Sequence, residues 1–226
     1  MNLVGTILLI APILLFSMVA HEYAHGYAAL KQGDPTAYQL GRLTWNPVRH
    51  IDPFMTIILP LILIVAHAPI IGGAKPVPVN PRNYRRYKRG DIIVSLAGVA
   101  TNLVIAVLCV PLFVLAGALG HALPALAPSL ALLQVMLTYG VMFNLLLVLF
   151  NLIPIPPLDG SHVVKHLLPP AWSLRYQQVG RFGLLILILL LLWKPVVDWW
   201  LWPVSKGTQL LLAPAAAFHL SGPIAL

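Results

Sequence analysis

Apolar residues fall along this chain in long blocks, without the strict alternation of a strand or the narrow stripe of a surface helix. The blocks run from about Leu3 to Leu30, Phe54 to Ile71, Ile92 to Leu119, Leu130 to Ile153 and Phe182 to Trp202. A helix gains about 1.5 Å per residue, so about 20 apolar residues cross a bilayer core. All but one of the blocks are long enough; the exception, 54–71, is short and carries Pro60 and Pro69. That block predicts a re-entrant or interfacial hairpin. Pro154, Pro156 and Pro157 follow the fourth block and cannot continue a helix with its hydrogen bonds intact, which predicts a broken helix near 154–160. The pattern as a whole predicts an all-α integral membrane protein, a polytopic helical bundle of four or five spans. No polar stretch reaches the about 50 residues that a separate domain needs, so 1–226 is expected to form a single domain.

Composition agrees with the blocks. Hydrophobic residues make up 59% of the chain and charged residues 9%, with a mean hydropathy of +0.88. The first block has no basic leader or small-residue cleavage site, and it is expected to be the first span, with no removed signal. A net charge of +8 could suit nucleic acid, but the basic residues cluster beside apolar blocks, where they suit cytoplasmic loops and the bilayer surface. Nucleic acid is therefore not an expected partner.

The same charges orient the chain. Lys31, Arg42 and Arg49 precede the 54–71 block, and Lys75, Arg82, Arg85, Arg86, Lys88 and Arg89 follow it. A hairpin keeps both groups in the cytoplasm, whereas a full crossing would separate them. The 120–129 loop, without Lys or Arg, then falls outside, and Lys165, Arg175 and Arg181 fall inside. This predicts a multi-pass protein of the cell membrane with its N-terminus outside. The stretch "GGAKPVPVNPRNYRRYKRGD" reads as an extended segment leading to an interfacial anchor. Cys109, the lone cysteine, reads as a packed thiol.

Against this background "HEYAH", residues 21–25, stands out. On a helix His21 and His25 share one face and lie about 6 Å apart along the axis, within reach of a single metal ion. Glu22 is one step round, placed to take a proton from a metal-bound water, as in H-E-x-x-H zinc hydrolases. Ionisable groups in a membrane span are costly and mark a functional or water-filled site. Glu22 is moreover the only glutamate in the chain.

That singularity narrows the third ligand. No downstream glutamate exists to complete a His-His-Glu set, and Ala28 and Lys31 occupy the Gly and His positions of the HExxHxxGxxH form. Asp, His, Cys or water remain, and the aspartates are Asp34, Asp52, Asp91, Asp159 and Asp198. Asp159 is preferred, because the proline break in "NLIPIPPLDGSHV" frees the backbone to turn a carboxylate into a bundle, and because HEYAH and Asp159 both fall towards the cytoplasmic side. The plainer reading of Asp159 is a turn or helix-capping residue before Gly160.

"HEYAH" followed far downstream by "NLIPIPPLDG" resembles the site-2 protease family of intramembrane zinc metalloproteases, in its short prokaryotic form without appended domains. "GRLTWNPVRHIDPFMTIILP", "GGAKPVPVNP" and "SLAGVATNL" resemble family segments in the same order, so the resemblance covers about residues 15–165. It implies one zinc ion held by His21, His25 and Asp159, with Glu22 as catalytic base and Asn102 as a polar group facing substrate or oxyanion. The plainer reading of Asn102 is a bond between neighbouring helices. Val99 and Met55 depart from the family's usual Pro and Gly, which bears on local backbone shape and substrate fit.

The expected function is an intramembrane zinc metalloprotease acting on a membrane protein or peptide substrate, with its active site towards the cytoplasm. The alternative is a membrane metal-binding or transport protein using the same ligands. His50 and Asp52 are expected to cap the segment after them rather than to support the metal ligands, and His162 and His166 to face headgroups beside Lys165 rather than to bind a second metal. Substrate identity and oligomeric state leave no mark in the sequence.

Overall fold

The computed structural model describes residues 3–58, 61–62 and 72–220. Helix accounts for nearly every element, with no strand among the described residues. Helix α1 spans Leu3–Gln32, α2 Thr36–Gln39, α3 Tyr87–Ala122, α4 Ala127–Asn151, α5 Asp159–Leu167, α6 Pro170–Val179, α7 Gly183–Leu192 and α8 Lys194–Leu212. Among the described residues, three helical runs are long and apolar enough to cross a membrane: Tyr87–Ala122, Pro124–Asn151 and Pro170–Leu192.

Local chemistry sets the ends of these elements. At the end of α1 the backbone N–H of Gly33 bonds the Leu30 carbonyl, and that of Asp34 bonds the Ala29 carbonyl. This pair of bonds closes the helix with Gly33 at φ 110, a conformation that glycine adopts without strain. Asn46 and Asn80 each accept a backbone N–H two residues on, from Val48 and Arg82, and so start short 3-10 turns at Pro47 and Pro81. Asp52 accepts from the Phe54 N–H, the capping role expected of it. His50 is buried, and its Nε2–H donates to the Thr44 carbonyl at 2.9 Å. At the start of the 54–71 block, where a hairpin is expected, Pro53–Ile58 is π-helical. Residues 59–60 and 63–71 of the block lie outside the described residues.

The predicted break after the fourth block is present, since α4 stops at Asn151 and α5 starts at Asp159. Turn bonds from Ile155 to Ile153 and from Leu158 to Ile155 carry the chain between them. Gly160 permits the close approach, because a Cβ there would lie 2.4 Å from the Leu152 carbonyl oxygen.

The last predicted block, Phe182 to Trp202, is not one helix. The chain turns extended at Trp193, between α7 and α8. Pro195 explains the break, because its ring nitrogen offers no N–H to continue the helix from α7 and its ring crowds the carbonyl one turn back. The run long enough to span starts earlier, at Pro170.

The chain divides into two compact units. One comprises Met1–Ser17, Asn102–Leu147 and Leu201–Leu226, with a core of Cys109, Phe113, Leu137, Val141 and Ala215. Within it Gln134 donates to the carbonyls of Phe113 and Phe218 and accepts from the Leu220 N–H. The other unit comprises Met18–Thr101 and Val148–Trp200, and Ala29, Tyr84 and Val94 form its buried cluster.

Candidate metal centre

The second unit contains the conspicuous chemistry. His21 and His25 are one turn apart on α1, and their Nε2 atoms approach to 2.9 Å with the rings edge to face. His25 Nδ1 lies 2.7 Å from the Val94 carbonyl on α3. A carbonyl only accepts, so Nδ1 carries the proton and Nε2 keeps its lone pair for a metal.

Asp159 comes from α5, where it is the first helical residue, after the proline-broken turn. Its Oδ2 lies 3.3 Å from His21 Nε2 and 3.3 Å from His25 Nε2. This oxygen is buried and receives no hydrogen bond, so Asp159 is not spending it on a cap. Three donor atoms from 21, 25 and 159 thus converge.

The donor set suits zinc. Ligands about 2.0–2.1 Å from a tetrahedral ion are separated from one another by roughly 3.3 Å, close to the spacing of these atoms. Two neutral imidazoles and one carboxylate are a recurrent zinc set that leaves a fourth position open. A buried carboxylate oxygen without a proton donor is costly alone, and a cation between the three atoms would relieve that cost. None of Asp34, Asp52 and Asp91 joins the histidine pair: Asp34 bonds Thr36, Asn80 and Asn83, Asp52 caps Phe54, and Asp91 pairs with residues of α5.

Glu22 is adjacent on α1, and its Oε2 accepts the Val77 N–H at 2.8 Å. Val77 belongs to the extended segment that follows the π-helical stretch, and that segment is anchored in turn by the bond of the Lys75 N–H to the His50 carbonyl at 2.7 Å. Asn102 is fully buried and donates from Nδ2 to Asn144 Oδ1 at 3.0 Å. Asn144 donates onward to the Ser17 hydroxyl, which bonds the Ile13 carbonyl.

Some contributors to the site escaped the sequence reading. Gly98 is one: a Cβ on it would lie 2.6 Å from His21 Cε1, His21 Nε2 and His25 Nε2, so the missing side chain is the space the imidazoles use. A glycine inside a helix costs about 1 kcal/mol relative to alanine, and that cost is the signal that it packs against something. Val94 and Val77 act through backbone groups, which leave no residue-type signature. His162 and His166, expected to face headgroups, both pair with the buried Asp91 carboxylate.

Comparison with known proteins agrees with the geometry. The profile of Peptidase family M50 matches residues 9–192. The chain is 39% identical over 194 residues to a Bacillus subtilis (strain 168) protein named "Putative zinc metalloprotease YwhC", an alignment covering 86% of this chain and 84% of that one. It is 29% identical over 201 residues to "Putative zinc metalloprotease Rip2" of Mycolicibacterium smegmatis, covering 88% and 72%. The Mycobacterium tuberculosis (strain H37Rv) protein of the same name is 28% identical over 205 residues, covering 88% and 74%. No solved structure matches at comparable stringency. A converged His-His-Asp donor set beside a lone glutamate, in a chain matched over most of its length, places this protein in peptidase family M50, the site-2 protease family of zinc metalloproteases.

Proposed function

We propose that this chain is a zinc metalloendopeptidase that hydrolyses peptide bonds within or near the transmembrane segments of membrane proteins, working as one membrane-embedded domain with its active site towards the cytoplasm. The observation that carries the reading is the meeting of His21 Nε2, His25 Nε2 and Asp159 Oδ2 beside Glu22. His21, His25 and Asp159 would hold the ion. Zinc, when bound, supplies Lewis-acid chemistry: activation of a water near neutral pH and polarisation of a scissile carbonyl.

The chain's own groups do the rest. Glu22 accepts the proton of the attacking water and passes it to the leaving amine, a role that needs its carboxylate fixed. The Val77 N–H fixes one oxygen and leaves the other for the proton. The Val94 carbonyl holds His25 in the tautomer that points Nε2 inward. Asn102 is proposed to face the substrate or the developing oxyanion, its amide oriented by Asn144. A membrane helix hides its carbonyls in internal hydrogen bonds, so substrate unwinds locally before attack.

The test compares purified Glu22→Gln and His21→Ala proteins for bound zinc and for cleavage of a membrane-helix substrate. Glu22→Gln is expected to keep stoichiometric zinc and lose cleavage, and His21→Ala to lose both. Normal cleavage by Glu22→Gln overturns the mechanism. Zinc movement across vesicles without cleavage by the parent points to transport instead.

A further inference from the structure

Seven residues before Gly98, α3 buries a carboxylate. Asp91 is 2% exposed, and α5 surrounds it with basic groups: Lys165 Nζ at 2.7 Å and His166 Nε2 at 2.7 Å from Oδ2, and His162 Nδ1 at 3.2 Å from Oδ1. Lys165 Nζ is also 3.1 Å from His162 Nδ1, and the Tyr87 ring closes edge-on over His166. The Lys165 ammonium sits where a metal would have to bind, so this cluster is an ion-pair network and not a second metal site.

Helical spacing links the network to the metal centre. Asp91, Val94 and Gly98 stand at i, i+3 and i+7 on one face of α3. Val94 receives His25, and Gly98 makes room for both imidazoles. On α5 the same spacing puts Asp159, His162 and His166 on one face. On α3 this face meets the imidazoles through Val94 and Gly98, on α5 it carries Asp159, and on each helix the ion-pair network extends to about 10 Å further along.

Helix α5 has nine residues, follows a proline-broken turn and lacks a side-chain cap. A helix that short does not hold its place by itself, so tertiary contacts decide where Asp159 sits. A slip of one turn would carry Asp159 about 5.4 Å, far beyond its contact with the histidines. Burying a carboxylate against two or three partners is no cheaper for stability than an apolar contact, but it specifies one register because each slipped register strands a charge.

We infer that Asp91 is a positioning residue for the metal centre: through Lys165, His166 and His162 it fixes the register of α5 on α3 and so holds Asp159 against His21 and His25. The inference rests on the reading of Asp159 as a zinc ligand. The full chain, purified in detergent and loaded with zinc, is mixed with excess chromogenic chelator, and zinc release is timed at a fixed interval below each variant's own melting midpoint, which removes differences in global stability. Asp91→Asn is expected to release zinc about 10–100-fold faster than the parent. Lys165→Met should change in the same direction, Asp91→Glu should recover part of the loss, and Gln134→Leu, a buried polar substitution in the other unit, should stay within about twofold. Asp91→Asn and Lys165→Met at the parent's rate overturn the inference, as does acceleration by Gln134→Leu equal to theirs. Should Asp91→Asn fail to fold, Lys165→Met and His166→Gln decide. A parent that holds no zinc overturns the metal-centre reading itself, and that result is distinct from a zinc-loaded parent with indifferent variants.

Discussion

Two clusters of buried and half-buried polar groups are built on opposite principles. Around Gln134, donors meet acceptors: its amide N–H groups reach two carbonyls, and its oxygen takes the Leu220 N–H. Around His21, His25 and Asp159, three potential metal-donor atoms crowd together, and Asp159 Oδ2 receives no hydrogen bond. The first arrangement repays the cost of burial by itself. The second is suited to repay it by sharing a cation. Polarity inside a membrane protein therefore says little about chemistry until the direction of each donor and acceptor is known.

The contrast can be broken most severely at the histidines. His21→Ala should weaken zinc binding by more than the about 10–100-fold typical of outer partners, measured by competition with a chelator, with cleavage falling in step. Gly98→Ala should come next: its Cβ pushes on both imidazoles, and overpacking of about 1–3 kcal/mol corresponds to roughly 5–150-fold in zinc affinity with helix content unchanged. Gln134→Leu should do the reverse, costing about 1–2 kcal/mol of stability in a melting experiment while zinc affinity stays put. A large loss of zinc there would erase the distinction between the clusters.

The smallest effect belongs to Asp34, a fully bonded carboxylate in the unit that also houses the metal donors. Burial pushes its carboxyl up, but the Asn80 N–H, the Thr36 hydroxyl, the Asn83 amide and the Thr36 N–H outweigh that and hold it below the usual range. With the folded value depressed, its contribution to stability is present above the unfolded-chain value of about 3.9 and fades as pH falls through the folded value. Asp34→Asn should flatten that acid limb of the stability profile, read by melting midpoints across pH, and leave zinc affinity near neutrality unaltered.

The features legible from sequence are those that residue type and short spacing encode. HEYAH is visible because two histidines at i and i+4 are expensive in an apolar block. Asp159 is reachable because a single glutamate rules out a His-His-Glu set and three prolines mark where the helix must stop. Gly98 and the Val94 carbonyl were not reachable, since one contributes the absence of a side chain and the other a backbone oxygen. The pairing of Asp91 with Lys165 depends on how α3 and α5 lie against each other, 74 residues apart in the chain. No local pattern carries that. The misjudged last block shows a related limit: hydropathy continued through Trp193 while Pro195 decided the backbone.

The bond from Val77 to Glu22 has a practical consequence. A glutamine at position 22 can present its amide oxygen to the same N–H, so Glu22→Gln is expected to preserve the architecture while removing the chain's only glutamate carboxylate. Such a variant would bind substrate and stall, turning a single backbone amide into the means of isolating whatever this protease normally cuts.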